Sequence, residues 1–235
     1  MDTVALEKVI NKLLDEFYQR RIDKITQLRL KDALKRKNPY LYRATGVERA
    51  SDIVDEVLKA YMSSSDEGIF GDAFFEPLAK YVACAHTSPS PGVDIVKETD
   101  NVYQAIAVKS GTSVFNSQSK KKQEDEFRAL EARIKKLQKH FDPIVGYCYG
   151  KKRQRSEKFY RELAGQAFWE ELTGEADFYL KIIVLMKDKP QEHLPSFKKA
   201  YDAAINRFTA EFVIEFCFPD GTIDWEKLLK FNSGK

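Results

Sequence analysis

The segment from Gly92 to Gly111 constrains the fold more than any other part of the chain, because its pattern is typical of a β-hairpin. Two short apolar runs, rich in β-branched residues, flank the turn-forming sequence Thr99–Asn101. Asp94 and Lys109 interrupt these runs near their outer ends. Antiparallel pairing brings the outer ends together at one edge of a sheet. The sequence therefore predicts that a carboxylate and an ammonium group lie close to each other.

Composition narrows the class of protein. A chain of 235 residues with 43% hydrophobic residues suits one domain with a substantial core. No apolar run approaches the roughly 18 residues of a membrane span, and the N-terminal residues lack the pattern of a signal peptide. The three cysteines are far apart and form no C-x-x-C motif, so neither a disulfide framework nor a cysteine zinc site is expected. We expect a cytoplasmic protein that does not associate with membranes.

Periodic apolar residues predict several amphipathic helices around the hairpin. The predicted helices cover residues 4–18, 21–36, 46–62, 120–139 and 156–172, and residues 144–149 are a predicted core strand. A break is predicted at residues 63–68, and Pro77 is expected to begin a new helix. The predicted fold is mixed α/β, with a small central sheet flanked by many helices. Residues 1–235 are predicted to form one domain, with helical extensions at 1–37 and 189–235.

Asp94 and Lys109 have the chemistry that phosphodiester hydrolysis requires. Carboxylates hold a divalent metal ion at the phosphate, and a nearby cation orients the attacking water or stabilises the developing charge. The spacing resembles the core of the PD-(D/E)xK nucleases. Gly92-Val93-Asp94 stands where that family has Pro-Asp, and Ala107-Val108-Lys109 stands where it has (D/E)-x-K.

Ala107 departs from this pattern, because the resemblance leads us to expect an acidic metal ligand there. Glu76, in an apolar helical segment before the hairpin, is one candidate replacement. Glu124, near the start of the buried stripe of the helix that follows, is the second. The main-chain carbonyl of Ala107 is a third possible ligand. The sequence does not choose among them.

Each candidate also has a structural explanation. Asp94 and Lys109 form a plausible ion pair without any catalytic role. Glu76 is compatible with a capping or solvent-facing position, and Glu124 with a first-turn glutamate that the helix dipole stabilises. Their joint order along the chain favours the catalytic interpretation.

A longer resemblance covers residues 38–187. It is carried by Asn38-Pro-Tyr-Leu41, Phe70-Gly71, Val108-Lys-Ser-Gly111, Phe115-Asn-Ser-Gln118, Gly146-Tyr-Cys-Tyr-Gly150 and Gly165-Gln-Ala-Phe-Trp-Glu170. In this order the motifs resemble the PmeII-like group of type II restriction endonucleases. The resemblance implies a Mg²⁺-dependent, sequence-specific endonuclease of double-stranded DNA, active as a homodimer, with the restriction-endonuclease type of central sheet. Asp94, Glu76, Glu124 and the Ala107 carbonyl are then the candidate metal ligands, and Lys109 is the catalytic cation.

Polar and basic residues beside the catalytic strand are the candidate DNA contacts. Amides and hydroxyls are able to reach phosphates or base edges, and lysine runs contact the phosphate backbone. The candidates are Ser110, Asn116, Ser117, Gln118, Lys120, Lys121, Lys122, Lys151, Lys152 and Arg153. The alternative for each run is a solvated helix face, since the net charge is only +3. Two rival functions remain: a DNA-binding protein with a decayed nuclease site, and a non-enzymatic helical interaction protein.

Overall fold

The computed structural model describes residues 2–88, 90–112, 117–152 and 159–234. Its α-helices are α1 (Thr3–Gln27), α2 (Leu30–Leu34), α3 (Pro39–Ala44), α4 (Ala50–Phe70), α5 (Glu76–Val82), α6 (Ser117–Ile134), α7 (Gln166–Thr173), α8 (Phe178–Met186), α9 (Lys189–Phe216) and α10 (Trp225–Ser233). A π-helix (Gly71–Phe75) and a 3₁₀-helix (Lys135–Leu137) are also present. The strands are β1 (His86–Thr87), β2 (Ile95–Glu98), β3 (Val102–Lys109), β4 (His140–Tyr147) and β5 (Arg161–Ala164).

The five strands form one mixed sheet in the order β1-β2-β3-β4-β5. The pairs β1–β2 and β2–β3 are antiparallel, whereas β3–β4 and β4–β5 are parallel. The β2–β3 pair is the predicted hairpin, and β4 contains most of the predicted core strand. The prediction of an α/β fold with a central sheet flanked by helices is confirmed.

The sheet belongs to the first of two compact units, which comprises Met1–Glu16 and Phe70–Lys189. Successive residues of β3 point to opposite faces of the sheet, and each face meets its own apolar cluster. One cluster includes Leu6, Phe74, Ile106, Ile144 and Phe168. The other includes Val93, Ala107, Phe127, Val145 and Tyr160. Burial on both faces explains why Ala105–Val108 is a continuous apolar run.

The second unit, Phe17–Ile69 and Pro190–Lys235, is built from helices. Its core includes Ile53, Val57, Leu58, Phe208 and Phe212. The organisation as one domain with extensions at residues 1–37 and 189–235 stays a prediction, and the two units divide the chain at other positions. Within the described residues no helix has the length and apolar character needed to cross a membrane.

The helix before the sheet differs from the prediction. No break occurs at residues 63–68, because α4 continues to Phe70 and leads through the π-helix into α5. Pro77 therefore lies near the start of α5 and directly after the π-helical turn. Proline removes a main-chain donor and crowds the carbonyl four residues earlier, and a π-turn is a known way to interrupt that ladder. One inserted residue turns all later side chains by about 100° around the helix axis, which sets the direction of Glu76.

The predicted helix over residues 156–172 is a second difference. Residues 161–164 form β5, which pairs in parallel with β4, and α7 begins only at Gln166. Gly165 makes the turn between them with φ +54°, and a Cβ there would lie 2.7 Å from the carbonyl oxygen of Gly150. Glycine is required by this close approach.

Candidate active site

Asp94 is fixed against β3 by main-chain hydrogen bonds. Its amide N–H donates to the Ile106 carbonyl at 3.0 Å, and its Oδ2 accepts from the Val108 amide at 2.6 Å. It lies immediately before β2, at the same sheet edge as the carboxyl end of β3. The hairpin therefore holds this carboxylate in one orientation at the edge of the sheet.

Lys109 ends β3, and its Nζ lies 3.5 Å from Asp94 Oδ2. Both side chains are 26% exposed. The sequence-based expectation that the two charges meet is confirmed. The contact is long for a charge-assisted hydrogen bond, which normally measures about 2.7–2.9 Å. Both groups therefore remain accessible to a ligand at this edge.

Glu76, at the start of α5, is influenced by the same two groups. Partial burial raises the pKa of its carboxyl group, the negative charges of Asp94 and Asp72 raise it further, and Lys109 and Lys80 oppose the rise. The charges of Asp94 and Lys109 therefore act on Glu76, which favours Glu76 among the replacements that the sequence left open. Two carboxylates that repel each other in this way are an arrangement that a divalent cation relieves.

Glu124 lies elsewhere. Its Oε1 accepts from Arg128 Nη2 at 2.7 Å, its side chain is 38% exposed, and no contact among the described residues joins it to Asp94. The buried stripe of α6 instead contains Gln123, Phe127 and Leu130. One residue is about 100° around a helix, so Gln123 takes the inward position and Glu124 does not.

Gln123 is the residue whose place in the site the sequence analysis missed. Its Nε2 donates to the Gly92 carbonyl at 2.6 Å, two residues before Asp94. The signal was present in the sequence, because Gln123 lies four residues before Phe127 on the apolar stripe.

Ala107 is fully buried, and its methyl group belongs to an apolar cluster. No group of three or more histidine, cysteine or carboxylate side chains converges within the described part of the chain. Mg²⁺ does not require such a group, since it is commonly held by one or two carboxylates, with water and substrate phosphate completing the shell. Asp94 and Glu76 fit this requirement.

The candidate DNA contacts at the start of α6 lie mostly on the surface. Ser117, Gln118, Lys121 and Lys122 are exposed, and Lys120 is half-buried. Lys122 has a weak contact with Glu126, at 3.8 Å. These side chains are accessible to a phosphate backbone. Asn116 lies outside the described residues.

Ser110 is less open than these residues. A Cβ on Gly71 would collide with Ser110 Oγ, so this hydroxyl packs directly against the π-helix. The contact joins the strand that ends in Lys109 to the helix that leads to Glu76.

In the second basic run, Lys151 and Lys152 lie in different surroundings. Lys151 is exposed, but Lys152 Nζ lies 2.8 Å from the buried Glu162 Oε1 and 3.0 Å from the Tyr147 hydroxyl. Burial raises the pKa of Tyr147, and its hydrogen bond to Glu162 raises it further. Lys152 therefore compensates a buried carboxylate, which the run of basic letters did not indicate. Arg153 lies outside the described residues.

Two comparisons with known proteins bear on this site. The sequence model of the family described as type II restriction endonuclease EcoO109I matches residues 4–193, a range that contains all the candidate site residues. No curated protein matches the chain.

Proposed function

Because the chain belongs to the type II restriction endonuclease EcoO109I family, we propose that it cuts double-stranded DNA at specific sequences by Mg²⁺-dependent phosphodiester hydrolysis. The meeting of Asp94 and Lys109 at one open edge of the sheet carries this proposal. A carboxylate for the metal and a cation for the reacting phosphate are the minimum that the reaction requires.

Asp94 and Glu76 are the proposed metal ligands. Mg²⁺ would supply a Lewis acid that polarises the scissile phosphate. The raised pKa of Glu76 supports its role, because the charge of Asp94 is one of its causes. Glu76 is preferred to Glu124, which Arg128 already neutralises. The Ala107 carbonyl remains a possible further ligand.

Lys109 is the proposed catalytic cation. Its long contact with Asp94 leaves its ammonium group able to bind the attacking water or a non-bridging phosphate oxygen. Asp94 holds the ammonium near the reacting atoms without satisfying all its donors.

DNA contacts are proposed for Ser110, Asn116, Ser117, Gln118, Lys120, Lys121, Lys122, Lys151 and Arg153. The exposed lysines would contact phosphates and position the DNA without reading its sequence. Lys152 is a weaker candidate, because its charge is paired inside the protein.

Three finer statements belong to the same proposal. The enzyme works as a homodimer, so that each active site cuts one strand of the duplex. It acts in the cytoplasm. Within its family it belongs to the PmeII-like group, on the strength of the motifs between residues 38 and 187.

Digestion of a DNA of known sequence, followed by sequencing of the ends, tests the proposal. We expect cuts at fixed positions with Mg²⁺ and none with EDTA. The absence of an acidic side chain at position 107 favours one rival, a binding protein with a decayed site. Specific binding without cleavage, in Mg²⁺ or Mn²⁺, would establish that rival, and no DNA affinity at any salt concentration would refute both.

A further inference from the structure

Gln123 is one of three polar or charged side chains that are buried among the described residues, the others being Ser90 and Glu162. Only 4% of it is exposed. A buried amide without a partner is costly, so its place depends on the bond that it makes. Its Nε2 donates to the Gly92 carbonyl at 2.6 Å.

Gly92 is held in an unusual conformation at this contact. Its φ is +70°, a region that side chains with a Cβ rarely adopt. A Cβ there would also collide with the Glu126 carboxylate, one turn after Gln123 in α6. α6 therefore contacts the backbone of Gly92 at two positions, by the hydrogen bond from Gln123 and by close packing of Glu126.

The backbone at Gly92 leads directly to Asp94. On its strand side, Asp94 is anchored by the Ile106 carbonyl and the Val108 amide. On the other side, the backbone that precedes Asp94 is tied to α6 by the hydrogen bond from Gln123 to the Gly92 carbonyl. Val93, between Gly92 and Asp94, also packs in the apolar cluster with Phe127, so the Gln123–Gly92 bond adds a directional restraint to the packing against α6.

α6 itself is well placed to act as the support. Phe127 and Leu130 anchor it in an apolar cluster with Ala107. Gln123 directly follows the lysines at positions 120–122 that are proposed to contact DNA. α6 thus links the proposed DNA contact to the backbone that precedes the proposed metal ligand.

We propose that Gln123 is a positioning residue, whose hydrogen bond to the Gly92 carbonyl orients Asp94 for metal binding. The inference rests on the proposed function of Asp94 as a metal ligand. Gln123 touches neither metal nor DNA in this role. Groups that orient metal ligands in this way typically change metal affinity or activity by about 10–100-fold when they are replaced.

The test compares Gln123→Met, which keeps the volume but loses the donor, with Gln123→His, which keeps an N–H donor at similar reach. Gln191→Met, at an exposed position of α9, is the matched control. Two quantities are measured: the Mg²⁺ concentration for half-maximal plasmid cleavage, and Mn²⁺ binding to the protein by electron paramagnetic resonance. Two further measurements are the affinity for DNA in the absence of metal and the Tm of each variant.

For Gln123→Met we expect about a tenfold rise in the required Mg²⁺ and a comparable loss of Mn²⁺ affinity. DNA affinity without metal should stay unchanged, and Gln123→His should recover part of the metal affinity. Unchanged metal dependence in Gln123→Met overturns the inference, and so does a lowered Tm with wild-type Mn²⁺ affinity. If Gln123→Met does not fold, Gln123→Leu, which also lacks the donor, replaces it in the same two measurements, and wild-type Mn²⁺ affinity in Gln123→Leu overturns the inference. A wild-type protein that binds Mn²⁺ but does not cut DNA refutes the proposed function, and the Mn²⁺ comparison still decides the role of Gln123.

Discussion

Charged side chains lie at both ends of β3, but they are fully hydrogen-bonded at one end and only loosely paired at the other. At its beginning, Gln104 joins a closed network with Asp142, Arg161 and Glu171. At its end, Lys109 meets Asp94 in a long contact that is open to solvent. Both groups are half-buried and both contain carboxylates with a cation, so their difference lies in how completely the charges are satisfied.

The closed network uses the planar guanidinium of Arg161. Its nitrogens donate to Asp142 at 2.5 and 2.8 Å and to Glu171 at 2.9 Å. The hydrogen bonds to Glu171 and Asp142 raise the pKa of Arg161, and the hydrogen bond from Arg161 lowers the pKa of Glu171. Each charged form is stabilised by its neighbours, which is the arrangement of a structural site.

At the end of β3, the charged forms of the side chains are not stabilised in this way. The pKa of Glu76 is raised by burial and by the charge of Asp94, so its ionised form is disfavoured without a further cation. The repulsion between the two carboxylates does not stabilise the fold, and a bound metal ion would replace it with attraction to both. The two ends of β3 therefore differ in whether their charges are already satisfied, and unsatisfied charge in a cleft is typical of functional sites.

The largest effect should follow from changes at the open end. Asp94→Asn and Lys109→Ala should each lower the rate of DNA cleavage at least about a hundredfold, because each removes a group that we propose to act on the reacting phosphate. Their Tm should stay close to that of the wild type. Single-turnover cleavage and thermal unfolding measure the two quantities. Full cleavage by Asp94→Asn would remove this residue from the site.

The closed end should respond in stability instead. Arg161→Met leaves Asp142 and Glu171 without their cation, and we expect the free energy of unfolding to fall by about 1–3 kcal/mol, allowing for the partial exposure of Arg161. Urea denaturation measures it. Cleavage per folded molecule should remain at the wild-type rate. A hundredfold loss of cleavage with unchanged stability would contradict the division between the two ends.

The adjacent lysines at 151 and 152 offer the same contrast within one run. Lys152→Met should lower stability, because it leaves Glu162 buried without its cation. Lys151→Met should leave stability unchanged and reduce the salt dependence of DNA binding by about one unit of slope. Binding titrations at several salt concentrations distinguish the two. A wild-type salt slope in Lys151→Met would show that Lys151 does not contact phosphate.

The smallest effect concerns the stability of the metal-free protein. A raised pKa means that Glu76 contributes stability at low pH that is lost as pH rises through its folded-state pKa. Glu76→Gln should therefore gain in Tm relative to the wild type as pH rises, by no more than about 2 °C at neutral pH. Adding Mg²⁺ should reverse the order, because the wild type binds it better. Thermal unfolding with and without Mg²⁺ measures both, and a pH-independent difference would contradict the assignment.

Prediction from the sequence succeeded where the signal is local. Alternating apolar residues around a turn predict a hairpin, and the hairpin fixes which of its residues meet. The structure accordingly pairs β2 with β3 and brings Asp94 to Lys109. Prediction failed at residues 161–164, because Arg161-Glu-Leu-Ala164 consists of residues that favour a helix by propensity, and only the pairing with β4 makes this segment a strand.

The sequence by itself determined the α/β class, the hairpin and the two charges at its open end, since these depend on neighbours a few residues apart. Only the tertiary structure decided that Gln123 bonds to the Gly92 carbonyl, that the charge of Asp94 acts on Glu76, and that Lys152 is neutralised by Glu162. The reason is that each of these contacts joins segments that are distant along the chain, and such a contact leaves no periodic trace in either segment.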